Sequence, residues 1–232
     1  MKTNPTTRRG FTLVELLVVI VIIAALAGLT APMVIRQRKK ADQTEAVSNA
    51  RQMGLALIEF ENEYGSFPDD TTAQAVATAT GKTAVTGSNA NDRFRQLFAA
   101  GMTQSEAMFY AKTAYTNKPD GVTTTDVDTL KAGECGFGII MKGATTTAFS
   151  SSGNPGRPIC ATPFDKSMNG QFDVDYFDGK AVVLRMDNSV TSLVISTVTK
   201  KPLLNGKDLL DTAVGGLWAP DSPVFAYPTP KP

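Results

Sequence analysis

Histidine is absent from all 232 residues. That absence excludes Ser–His and Cys–His nucleophilic pairs, His-ligated zinc and a His general base, each of which needs imidazole. Cysteine occurs twice, too few for a four-thiolate iron–sulfur or zinc site. Neither sign of charge is in excess: 23 Lys and Arg stand against 22 Asp and Glu, a net +1 without the basic surplus of a nucleic-acid surface. No nucleic-acid partner is therefore expected. Apolar residues make up 42% of the chain, enough to fill the core of one ordinary domain, or of one domain with an appendage. Composition removes many enzymes and points to none.

The charge is unevenly placed. Lys2, Arg8 and Arg9 precede an apolar run, and Arg36, Arg38, Lys39 and Lys40 follow it. Between them, Phe11–Ile35 carries one charge, Glu15, and Leu16–Leu29 has no polar side chain. As a helix, this run would extend roughly 37 Å, sufficient for a hydrocarbon core of about 30 Å. Two general readings apply. A secretory signal peptide would use the basic start, Leu16–Ile23 and the small-residue site Ala25-Leu26-Ala27. A single-span anchor explains the length but gives Glu15 no role, and basic residues at both ends leave its orientation open. An acid inside such a span is a functional signal, since it requires a partner, a proton or the interface. A cut between Gly10 and Phe11 would create a cationic amine close to Glu15.

Arg8-Arg9-Gly10-Phe11-Thr12-Leu13-Val14-Glu15-Leu16-Leu17 resembles the prepilin cleavage and methylation motif of type IV pilins and type II secretion pseudopilins. The shared features are a basic leader, Gly before the cut, Phe after it, Glu at the fifth mature position and a long apolar stretch. Pro32 falls where many members of that family carry a helix-kinking proline. The resemblance implies a prepilin peptidase that cuts after Gly10 and methylates the Phe11 amine. It further implies a subunit held in the bacterial inner membrane with its head in the periplasm, an inner-membrane assembly platform, and self-assembly into a helical filament in which Phe11, Glu15 and Pro32 take part.

Beyond Ile35 the helical pattern continues. Ala46, Ala50, Met53, Leu57, Phe60 and Tyr64 recur at spacings of three and four, the seam of an amphipathic helix packed on its own globular domain. Gly65 and Pro68 stop it, and Tyr64-Gly65-Ser66-Phe67-Pro68 resembles the turn that ends the long helix in many major pseudopilins. Residues 71–91 read as a surface loop with a short helix. A helix from Asn91 or Asp92 to Ala100 buries Phe94, Leu97 and Phe98. Another starts at Thr103, with Glu106 closing a capping box. Phe137–Met141, Ala181–Met186 and Val190–Val198 are strand candidates, the last two joined at Asp187-Asn188-Ser189. The proline-rich tail reads as extended over the surface. The Asp-Pro-Trp-Gly pattern of many major pseudopilins is missing.

In an exported domain Cys135 and Cys160 are expected to form a disulfide, two free thiols being the alternative. Asp173, Asp175 and Asp178, with Asp165 nearby, surround Asn169-Gly170 and offer the oxygen ligands that calcium takes. Calcium is often bound in a C-terminal loop of major pseudopilins, whereas a solvated acidic turn explains the same residues without a metal. The expected fold is α+β: a long N-terminal helix on a small head with an antiparallel sheet. Its parts are a leader (1–10), a membrane and assembly segment (11–35) and a periplasmic head (36–232). The expected function is structural and not enzymatic, a pseudopilus or pilus-like filament subunit. The alternative is a membrane-anchored periplasmic module that binds a ligand or polymer.

Overall fold

The computed structural model describes residues 11–83, 85–123, 128–143, 146–213 and 217–232. Two compact units divide between Lys39 and Lys40, and helix α1 (Leu13–Tyr64) contributes to both. In the N-terminal unit α1 runs through Pro32, which takes one N–H from the ladder at the Gly28 carbonyl. The Thr30 hydroxyl donates back to the Leu26 and Ala27 carbonyls at 3.0 and 3.4 Å.

In the head, the expected seam is present. Ala46, Ala50, Met53, Leu57 and Phe60 are fully buried, and Tyr64 is half-buried. Side chains on α1 also fasten it in place. Gln43 Nε2 donates to Ser192 Oγ at 2.6 Å, Asn49 Nδ2 to the Tyr110 carbonyl at 3.0 Å, and Glu61 accepts the Ser151 N–H. Gly65 ends the helix with φ +86°, a conformation glycine adopts without penalty.

The sheet is antiparallel throughout, in the order β4-β3-β2-β1-β7, with β1 Gly138–Lys142, β2 Pro158–Thr162, β3 Lys180–Arg185, β4 Val190–Val194 and β7 Pro223–Ala226. β2 is buried along its whole length and β1 along all but its last residue, so both faces of the sheet centre are covered. The β3–β4 hairpin turns where expected, with Asn188 at φ +61° and the Arg185 N–H bonded to the Ser189 carbonyl. β5 (Leu203–Leu204) and β6 (Lys207–Asp208) form a separate two-stranded ribbon.

The short helix expected within residues 71–91 is α2 (Asp70–Thr80), started by a reciprocal Asp69–Thr72 capping box. Helix α3 (Ala90–Ala99) packs beside it through Gln96, which accepts from Thr72 Oγ1 and donates to the Asp69 carbonyl, both at 2.8 Å. The helix expected from Thr103 is a single 3-10 turn (Glu106–Phe109) capped by Ser105, and the Glu106 side chain turns inward instead of closing a capping box.

The proline-rich tail also departs from expectation. Part of it is strand β7, which pairs with β1 from Ile139↔Ala226 to Lys142↔Pro223. Beyond β7, the Tyr227 carbonyl accepts the Ala90 N–H, the Thr229 carbonyl accepts the Gly133 N–H, and the Lys231 N–H donates to the Tyr115 carbonyl. Asn91 Oδ1 accepts the Thr229 N–H. Pro228, Pro230 and Pro232 alternate with the bonded residues, so an extended chain loses donors along one edge only.

Candidate functional site

The N-terminal unit is apolar on every side. From Phe11 to Ile35 its large apolar side chains are 44–83% exposed, far beyond the patch a solitary water-soluble domain presents. One window of eighteen residues in α1 has a mean hydropathy of 2.8, and the helix meets the length and composition required of a membrane span. A bilayer or packed copies of such a helix would remove that surface from water.

At the head of this unit, Thr12 and Glu15 cap α1. The Thr12 N–H and hydroxyl donate to Glu15 Oε2 at 2.8 and 2.7 Å, and the Glu15 N–H reaches back to Thr12 Oγ1 at 3.3 Å. Thr-x-x-Glu ahead of an apolar run is the signature of a capping box, a local signal that Thr12 and Glu15 carry in the sequence itself. The acid therefore has a local function that a bare anchor reading withheld from it. Its carboxylate also complements the positive end of the helix dipole. Phe11 is exposed one residue ahead of this cap, and Pro32 lies within the helix. Gly10 and the leader lie outside the described residues.

The head holds the remaining candidates. Cys135 and Cys160 are both fully buried free thiols. Burial pushes the Cys135 thiol up to about 12, and the thiol donates to the Phe137 carbonyl at 3.2 Å. Burial raises Cys160 as well, and negative charge on Cys135 would raise it further. Neither is an activated nucleophile.

The carboxylates of Asp173, Asp175 and Asp178 do not converge within 4.8 Å of one another. Asp173 Oδ1 accepts the Asp175 N–H at 2.8 Å, Asp165 Oδ1 accepts from Ser167, and Asp178 occupies a left-handed position at φ +56°. Among the described residues the acids whose carboxylates converge within 4.8 Å are instead Glu106, Asp120 and Glu134. Backbone donors already occupy that cluster. Glu106 accepts the Leu130 and Gly121 N–H groups at 2.7 and 2.9 Å, and Glu134 accepts those of Lys131 and Asp120 at 2.6 and 3.1 Å. Asp120 pairs with Lys131 Nζ at 2.8 Å. The cluster ties a loop to the core. Beside it, Glu45, Asn49, Ser105, Tyr110 and Lys118 line an open groove of about 340 Å³.

A family model described as the prokaryotic N-terminal methylation motif matches residues 6–31. Over 61 residues the chain is 39% identical to the type II secretion system core protein G of Pectobacterium carotovorum subsp. carotovorum, covering 26% of this chain and 39% of that protein. It is 42% identical over 59 residues to core protein G of Escherichia coli (strain K12), covering 25% and 41%. A fimbrial protein of Neisseria meningitidis serogroup A / serotype 4A is 33% identical over 75 residues, covering 32% and 44%. The match spans about two fifths of the length of these relatives. No solved structure matches the chain.

Proposed function

We infer that this chain, whose N-terminal region belongs to the type IV pilin and type II secretion pseudopilin family, is a structural filament subunit. A prepilin peptidase removes residues 1–10 and methylates the Phe11 amine. Residues 11–35 hold the mature subunit in the inner membrane, its head in the periplasm, until an assembly platform draws it into a helical filament. The similarity to core protein G and the Tyr64-Gly65-Ser66-Phe67-Pro68 turn favour a pseudopilus over a surface pilus.

The observation that carries this reading is an exposed apolar helix headed by a capped acid, placed where the methylation motif matches. In a filament, neighbouring helices bury the apolar surface, and the Phe11 amine of the same or an adjacent subunit neutralises Glu15. Methylation leaves that amine basic. An anchored binding module has one observation in its favour, the open groove beside Tyr110. Mass spectrometry of membrane-derived protein separates the two: a filament subunit starts at N-methylated Phe11, and Gly10→Val retains the leader. A mature start at Gly28 would identify an ordinary signal peptide and remove the filament reading.

A further inference from the structure

We propose that Arg36, Arg38, Lys39 and Lys40 form a cationic collar for anionic lipid headgroups, which holds the resting subunit at the membrane surface. The proposal rests on the membrane reading of Phe11–Ile35 and adds to it a lipid partner.

Four cations occupy five consecutive positions immediately after Ile35, the last residue of the apolar run. Crowded like charges repel unless counter-charge is supplied. The protein does not supply it: among the described residues, none of the ion pairs formed involves any of these four side chains. The nearest acid in the chain, Asp42, is taken by Lys112 at 3.0 Å. Arg36, Arg38 and Lys40 are exposed and Lys39 is half-buried.

The arrangement around the helix identifies the partner. Successive residues step about 100° round an α-helix, which sets Lys40 about 40° from Arg36, Arg38 about 200° round and Lys39 about 300°. Charge therefore spreads over about 200° of the circumference, more than one flat face can meet, and leaves only the side of Gln37 uncharged. A neighbouring protein's acidic face meets one side of a helix, whereas phospholipid headgroups surround it. The long stems can lie along the apolar surface while their charged ends reach the phosphate layer. Attraction of this kind is worth about fivefold in affinity per basic residue near an anionic surface and falls with salt. It acts on whichever side of the membrane the head lies. Drawing the subunit into a filament must strip these headgroups, so the lipid composition tunes the readiness of the resting pool.

The test uses the full chain reconstituted into phosphatidylcholine vesicles containing a minority of phosphatidylglycerol. Flotation first establishes insertion; mild detergent extraction then gives the ratio of the two lipids retained on the protein. The expected result is several-fold enrichment of phosphatidylglycerol over the bulk ratio, lost in high salt and in the combined variant Arg36→Gln, Arg38→Gln, Lys39→Gln, Lys40→Gln. Arg36→Lys with Arg38→Lys should retain it. Floated wild-type protein carrying lipids at the bulk ratio would overturn the collar alone, and protein that fails to float would overturn the membrane reading beneath it. Enrichment unchanged in the four-Gln variant would overturn the assignment to these residues. Loss of subunit cross-linking in that variant with unchanged lipid enrichment would assign the charges to a neighbouring copy instead.

Discussion

Both donors of Thr12, its N–H and its hydroxyl, converge on one oxygen of Glu15, at 2.8 and 2.7 Å. The Glu15 N–H returns to Thr12 Oγ1, so the acid heading the apolar helix is also half of its N-terminal cap. Two roles then coexist in one side chain, local capping and charge, and they are separable by chemistry. Glutamine can serve the cap through its carbonyl oxygen but carries no charge to meet an amine.

Gly136 tests the packing of the head. A Cβ placed there would lie 2.6–2.8 Å from the backbone N, Cβ and backbone O of Ala111. The same residue receives the Tyr115 hydroxyl on its carbonyl and gives its N–H to Phe109, which leaves the strand entry little freedom to shift. Gly136→Ala should lower stability by about 2–3 kcal/mol, the usual penalty of overpacking without room to relax. Urea titration of the full chain in detergent measures it. An unchanged midpoint would show that the Ala111 segment yields freely.

Glu106 makes stability depend on pH in a stated direction. Burial raises its carboxyl above the ordinary value of 4.5, with Glu134 and Asp120 adding to the rise and the Leu130 and Gly121 N–H groups opposing it. Below 4.5 the group is neutral in both folded and unfolded chains. Between that value and the raised folded value, the folded chain holds the extra proton, so stability falls as pH rises. Asp120, whose carboxyl the Lys131 ammonium holds below 3.8, acts oppositely and at lower pH: its contribution is lost as pH falls. Glu106→Gln should flatten the upper slope while costing about 1–2 kcal/mol, because the Leu130 and Gly121 N–H groups reach different carboxylate oxygens and the amide sets an NH2 donor against one of them. Melting temperature against pH for both proteins provides the comparison. Identical slopes would place the titration elsewhere.

Much of the fold was legible because one periodicity governs it. The spacing from Ala46 to Tyr64 can face a core in only one way, and the hairpin at Asp187-Asn188-Ser189 combines turn chemistry with flanking β-branched residues. The motif at Gly10–Glu15 is local and dense, which is why a match to a quarter of the chain suffices to recognise it. The pairing of the tail is hidden in the sequence because proline ordinarily marks a break or an edge in a strand. Prolines at alternate positions spare the N–H groups of Thr229 and Lys231, and both are used. Glu106 escaped for another reason: Thr103 and Glu106 satisfy a local capping pattern, but two long-range backbone donors compete for the carboxylate and win. Strand β2 has no alternation to reveal it, since all five of its residues are buried.

The cysteines distinguish compartments. With both thiols buried and raised, reduced protein should resist alkylation near neutral pH until it unfolds. We propose that the exported protein carries a Cys135–Cys160 disulfide. Peptide mapping without reductant should then find the cross-linked pair. Free thiol at both positions in fresh exported material would leave the pair reduced in its working form, with the filament reading untouched.

Assembly through Glu15 is the central claim, and the comparison of Glu15→Gln with Glu15→Leu tests it most directly. Both variants remove the charge, while Gln keeps a capping acceptor and Leu does not. The measurement is the quantity of filament in sheared fractions relative to the processed subunit in membranes. Both variants should be cut after Gly10 and accumulate in the membrane, and both should lose most of their filament, since neither can neutralise the Phe11 amine. Filament at wild-type levels from Glu15→Gln with loss only in Glu15→Leu would assign Glu15 to the helix cap and contradict charge pairing; wild-type levels from both would contradict any part for Glu15 in assembly.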